Sequence, residues 1–91
     1  MSIPVDAEPR LVLLVDDDDD IRQVAAAALE LVDGFRVITA NGGRAGVSQA
    51  QLHHPDGILM DVMMPGMDGL ETAELLKGDP ATADIPVILL T

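Results

Sequence analysis

The sequence predicts one α/β domain built on a parallel sheet, and three observations carry that prediction. Four short apolar runs of strand length are spaced along its 91 residues. Segments of helical periodicity or helix-start chemistry separate them. The clearest runs are continuous instead of alternating, as in strands buried on both faces. Strands alternating with helices in this way form a parallel sheet with helices on both faces and right-handed crossovers.

Residues 1–9 carry Pro4, Pro9 and acids without periodicity and are expected to form a flexible arm. The run Leu11-Val12-Leu13-Leu14-Val15 is the first strand, and five consecutive aspartates, Asp16 to Asp20, follow it. From Ile21 the period changes. Ile21, Val24, Ala25, Ala28, Leu29 and Val32 share one helical face, and Gly34 supplies a C-terminal stop. Residues 35–39 (FRVIT) form a second strand. A weak helix over residues 43–53 follows, with a thin apolar face and two glycines, and is expected to be the least stable of the helices. Pro55-Asp56-Gly57 turns the chain into Ile58-Leu59-Met60, which delivers Asp61 to a strand end; Pro65, Gly66 and Gly69 then prevent continuation. Asp68 with Glu71 has the spacing of a capping box. It opens a helix to about Lys77, with Leu70, Ala73 and Leu76 inward. Residues 85–90 are the fourth strand, and Thr91 closes it.

Composition narrows the function. Sixteen acids against five bases give a net charge of −11, which repels nucleic acid and anionic membranes and suits a cation or a basic partner. Cysteine is absent, so disulfides and thiolate metal sites are excluded. No run approaches membrane-spanning length, and the N-terminus lacks the pattern of a secretory signal. A cytoplasmic location is the expectation. Phe35 is the only aromatic residue, so the core rests on aliphatic side chains and five methionines.

Two strands end in acid, the first at Asp16 and Asp17, the third at Asp61. Open α/β sheets bind ligands beyond the carboxyl ends of their strands. In a doubly wound sheet of order 2-1-3-4 the first and third strands are neighbours, and their three carboxylates converge. Like-charge repulsion there calls for a proton or a cation. With oxygen ligands alone the cation is hard: Mg²⁺, Mn²⁺ or Ca²⁺. Such a metal with open positions works on phosphoryl oxygens, leaving one carboxylate as a nucleophile that forms an aspartyl-phosphate. Thr91 closes the fourth strand at the same edge, where its hydroxyl reaches a phosphoryl oxygen on Asp61 or is simply an edge residue.

Plainer readings suit several neighbours. Asp18, Asp19 and Asp20 read as a helix cap and acidic first turn. Met60, Met63, Met64 and Met67 read as core and loop packing, His53 and His54 as helix-end residues, and Lys77 as a surface lysine. Competing motifs fail. An EF-hand loop begun at Asp16 places Ile21 where glycine is required and Ala27 where the bidentate Glu belongs. Neither a phosphate-binding Gly-rich loop nor a dinucleotide fingerprint is present.

LVLLVDDDDDIR, PDGILMDVMMPGMDG and DIPVILLT, in this order and spacing, strongly resemble the receiver domain of two-component response regulators over residues 11–91. The resemblance implies a flavodoxin-like doubly wound sheet of order 2-1-3-4, an incomplete domain over residues 10–91 ending after the fourth strand. The family's fifth strand and last two helices are not in the sequence, nor are the lysine and the aromatic residue on that strand. It also implies that Asp61 is the phosphoacceptor, served by a sensor histidine kinase or phosphotransfer protein. Asp17 and Asp61 would ligate Mg²⁺ directly, Asp16 through water, and the Met63 backbone carbonyl would complete the protein ligands. Thr91 matches the switch hydroxyl. Gly46 stands where the family usually has a bulky apolar residue.

The leading expectation is therefore a phosphoacceptor signalling domain and not a turnover enzyme. The alternative is a truncated or degenerate receiver acting as an interaction or dimerisation module without phosphotransfer. A phosphatase with an aspartate nucleophile has faint support from Asp16 and Asp18. The isolated chain is expected to self-associate through an exposed fourth-strand edge.

Overall fold

The computed structural model describes residues 10–90. The expected arm over residues 1–9 and the candidate hydroxyl of Thr91 lie outside these described residues. The elements run β1 (Leu11–Val15), α1 (Asp19–Leu31), β2 (Arg36–Ala40), α2 (Gly43–His53), β3 (Gly57–Asp61), α3 (Gly69–Gly78) and β4 (Val87–Leu90). All three strand pairings are parallel, and the order is β2-β1-β3-β4, as the doubly wound reading requires.

The core lies on one face of this sheet. Leu13 and Val15 of β1, Ile58 and Met60 of β3 and Ala40 of β2 pack with Ala50 of α2 and Leu76 of α3. Val87 and Leu89 of β4 join them, while Ile88 and Leu90 point to the other face and stay exposed. The period-2 alternation of a strand thus separates a covered face from an open one. Among the described residues helix α1 is the only helix on the open face, where it rests on β1 and β2. Beyond it, Val12, Leu29, Phe35, Leu59 and Ile88 line an apolar groove of about 360 Å³.

The apolar face read for α1 is only partly covered. Ile21, Val24, Ala28 and Val32 are exposed, Val24 at 71%, and no residue of the helix is fully buried. The half-buried stripe is Arg22, Ala25, Ala26 and Leu29. The apolar arc of the helix is wider than its contact with β1 and β2. Of its residues only Leu29 reaches the groove, and the flank of Ile21, Val24 and Ala28 is covered by no described element.

Helix α2 has the predicted bounds but not the predicted character. Gly43, Gly46 and Ala50 are buried. A Cβ on Gly46 would come within 3.0 Å of Val15 Cγ2, and one on Gly43 would meet the Thr72 hydroxyl. The glycines that weaken the helix intrinsically are its points of closest packing, so α2 is better embedded than α1. In α3 the inward stripe is Gly69, Thr72, Ala73 and Leu76, and Leu70 is exposed. Ile85 is fully buried but precedes the strand. Pro86 has no N–H to give the ladder, though its carbonyl accepts from Ile58 N–H at 2.9 Å.

Local chemistry sets the ends. Asp18 caps α1 by accepting from the N–H groups of Asp20 and Ile21, both at 3.0 Å. Gly34 takes φ +73°, and the Phe35 N–H bonds back to the Leu29 carbonyl at 3.2 Å. Asp68 caps α3 through Glu71 N–H at 2.8 Å. Lys77, expected to be a plain surface residue, donates to the carbonyls of Ile85 at 2.7 Å and Ala83 at 3.2 Å and so ties α3 to the approach of β4. Of the methionines, Met60 and Met64 are core and Met67 is half-buried, but Met63 is 78% exposed and packs nothing.

Candidate metal and phosphoacceptor site

Strands β1 and β3 run side by side with Val15 paired to Met60. One step further, each reaches an aspartate, Asp16 on one side and Asp61 on the other. The backbone still holds both positions. Asp16 N–H donates to the Ala40 carbonyl at 3.1 Å, and Val62 N–H, just past Asp61, donates to the Leu90 carbonyl at 3.0 Å.

Carboxylate oxygens of Asp16, Asp17 and Asp61 lie within 4.8 Å of one another. Asp16 is buried at 7% exposure, Asp61 is half-buried and Asp17 is exposed, so the cluster opens to solvent on one side. Two of the three are aimed by the same device, a carboxylate accepting from the backbone two residues on. Asp16 Oδ1 accepts from Asp18 N–H at 2.9 Å, and Asp61 Oδ1 from Met63 N–H at 2.9 Å. An ionised carboxylate has about four acceptor positions, so each keeps capacity for a ligand.

The donor set fits a hard divalent cation. It offers only oxygens, and three like charges this close are relieved by a cation between them. Neither histidine competes: His53 ends α2, and His54 Nε2 faces Asp84 Oδ1 at 3.2 Å on the far side of that helix. Met63, expected to lend its carbonyl, lies in the loop directly after Asp61 and is bound to it through its N–H. Leu90, the last described residue of β4, pairs with Asp61 in register and brings that strand to the same rim.

The family model of the response regulator receiver domain matches residues 12–91. The chain belongs to that family. Its sequence is 40% identical over 82 residues to the phosphate regulon transcriptional regulatory protein PhoB of Pseudomonas aeruginosa, covering 90% of this chain and 35% of that protein. It is 42% identical over 80 residues to the response regulator PleD of Caulobacter vibrioides, covering 88% of this chain and 17% of that one. This receiver thus spans about a third or less of the curated relatives it matches. Among solved structures, the N-terminal domain of a response regulator receiver protein from Methanoculleus marisnigri superposes with a TM-score of 0.86 at 45% identity, over 90% of this chain and 66% of that chain. The chemotaxis protein CheY4 of Vibrio cholerae gives a TM-score of 0.84 at 33% identity, over 90% of this chain and 68% of that chain.

Two residues at the rim of this receiver escaped the sequence reading. Arg22 Nη1 donates to the Asp16 carbonyl at 2.9 Å, and its Nη2 pairs with Asp19. The i,i+3 spacing of Asp19 and Arg22 signals the ion pair, but nothing in the sequence signals the backbone bond. Gly69 is the other: the sequence marks it as a strand breaker beside a cap, and its close approach to the Asp61 backbone has no sequence signature.

Proposed function

We propose that this receiver accepts a phosphoryl group on Asp61 from the phosphohistidine of a sensor kinase or phosphotransfer protein, with Mg²⁺, or Mn²⁺ in its place, held by Asp16, Asp17 and Asp61. The convergence of three carboxylates within 4.8 Å at the ends of β1 and β3 supports this reading above all else. Met63 offers its backbone carbonyl as a further oxygen, and Thr91 its hydroxyl toward the phosphoryl group. When bound, the cation neutralises charge on the phosphoryl oxygens as the group transfers.

The residues of the chain divide the work. Asp61 is the nucleophile: one carboxylate oxygen attacks phosphorus, the new O–P bond forms as the N–P bond of phosphohistidine breaks, and the imidazole leaves with the electron pair and takes up a proton. The Met63 N–H holds Oδ1 of Asp61 and thereby orients the carboxylate. Asp16 and Asp17 supply the negative charge that retains the cation. The aspartyl-phosphate then acts as a signal, in a domain without catalytic turnover on an external substrate.

Partner and place follow from the same reading. The net charge of −11 favours a basic docking partner over nucleic acid, and a cytoplasmic location belongs to the same proposal. Among the described residues β4 pairs on one side alone, and its free backbone edge, flanked on the open face by exposed Ile88 and Leu90, is a surface for self-association of the isolated chain, which concentration-dependent sedimentation tests. The function itself is tested by incubating the chain with acetyl phosphate and Mg²⁺ and measuring intact mass. One phosphoryl group should be gained, not taken up when the metal is chelated beforehand, and absent in Asp61→Asn. Uptake that survives Asp61→Asn refutes the nucleophile. Cation binding without any uptake points instead to an interaction module.

A further inference from the structure

Gly69, the first residue of α3, is buried against the strand end that carries Asp61. A Cβ built on it would stand 2.6 Å from the Asp61 carbonyl oxygen, 2.8 Å from Val62 Cα and 3.2 Å from the Asp61 carbonyl carbon. All three are backbone atoms, so no side chain can swing aside to make room. Its own N–H donates to the Val62 carbonyl at 3.1 Å. The positive-φ glycines are Gly34 and Gly66, and Gly69 is not among them. What glycine supplies here is space, at the cost of helix propensity.

The opposite side of the same short segment is tied to the carboxylate. Met63 N–H holds Asp61 Oδ1 at 2.9 Å, and Val62 N–H is anchored on Leu90. Residues 61–63 are therefore clamped between β4, the first turn of α3 and the Asp61 side chain itself. Any displacement of the backbone at Asp61 or Val62 moves the base from which the carboxylate projects.

Resting on the reading of the three aspartates as a cation and phosphoryl site, we infer that Gly69 is a positioning residue of that site. Its missing side chain seats the start of α3 on the Asp61–Val62 backbone, and this seating aims the Asp61 carboxylate at Asp16 and Asp17. A methyl group at this position pushes strand end and helix apart without substituting any ligand residue. Residues that orient ligands in this way typically change metal affinity by about 10- to 100-fold when altered.

The test compares Gly69→Ala with Gly43→Ala, a substitution that also crowds a packed helix start but against the Thr72 hydroxyl and Met67, away from Asp61. Two readouts separate positioning from simple loss of stability. In the metal-free chain, the Met63 amide proton resonance should shift upfield in Gly69→Ala, as its bond to Asp61 weakens, and stay in place in Gly43→Ala. Mg²⁺ affinity measured by calorimetry should fall about tenfold in Gly69→Ala alone. An unmoved Met63 resonance with unchanged affinity overturns the inference while the cation reading stands. If the parent chain binds no Mg²⁺, the cation reading fails, and the Met63 resonance still decides whether Gly69 sets the geometry. Should Gly69→Ala not fold, Asp68→Ala, which frees the first turn of α3, is set against Asp68→Asn, which keeps a capping side chain without the charge. An upfield shift of the Met63 resonance in the first and not the second supports the inference, and equal behaviour overturns it.

Discussion

Asp16 and Asp61 stand abreast on neighbouring parallel strands, one step past the Val15–Met60 pair, and each carboxylate is turned by a hydrogen bond from the backbone two residues further along. The pairing follows from the crossover order. Placing β3 beside β1 brings the ends of two strands distant in sequence to the same level. The sheet supplies the rigid base and the turns supply the aim, so the site is largely organised before any ligand arrives.

The one-sided core predicts a sharp contrast between two leucines. Leu13 is 0% exposed between the sheet and the α2–α3 layer, whereas Leu31 of α1 is 84% exposed. Leu13→Ala should cost about 2–5 kcal/mol in urea unfolding. Leu31→Ala should stay within about 0.5 kcal/mol of the parent. A comparable loss at both positions would show that the open face of α1 is covered in solution.

Arg22 allows a test in which charge and geometry oppose each other. Removing a cation that touches Asp16 and Asp19 should, by charge alone, tighten Mg²⁺ binding. Removing the bond from Arg22 to the Asp16 carbonyl should loosen the β1–α1 corner and weaken it. Arg22→Gln is expected to weaken binding by about tenfold, read by calorimetry. Tighter binding in that variant would show that the guanidinium acts only through its charge.

One acid away from the site gives a pH dependence. Hydrogen bonds from Gln51 Nε2 and the Ala81 N–H lower the Asp79 carboxyl below its ordinary value of 3.8. A depressed folded-state value stabilises the fold at pH above the ordinary aspartate range and loses that effect as pH falls through the folded value. Gln51→Ala should therefore lower the unfolding midpoint slightly at pH 7, with the gap closing below about pH 4. A gap that is constant across that range would leave the Gln51 contact without an ionic component.

The legible and illegible parts of the fold divide along one physical line. Leu11–Val15 was readable to the residue because a strand buried on both faces writes itself as an unbroken apolar run. The acidic site was readable because Asp16, Asp17 and Asp61 follow directly on such runs. The facing of α1 was not, since periodicity shows that a helix has an apolar arc but not which part of it meets another element. Gly43 and Gly46 look like weak points locally, and only tertiary contact with Thr72 and Val15 reveals them as fits. The apolar pattern favours Leu70 over Thr72 as an inward residue, because Gly69, with no side chain to register in a pattern, starts the inward stripe.

The central claim is that acids from two neighbouring strands share a hard cation at one rim of the sheet. Anomalous diffraction from crystals grown with Mn²⁺ tests it most directly. The account predicts one strong peak in contact with carboxylate oxygens of Asp16 or Asp17 and of Asp61, lost in Asp61→Ala. A rim without a peak, or carboxylates of Asp17 and Asp61 diverging to opposite sides of the sheet, would contradict it.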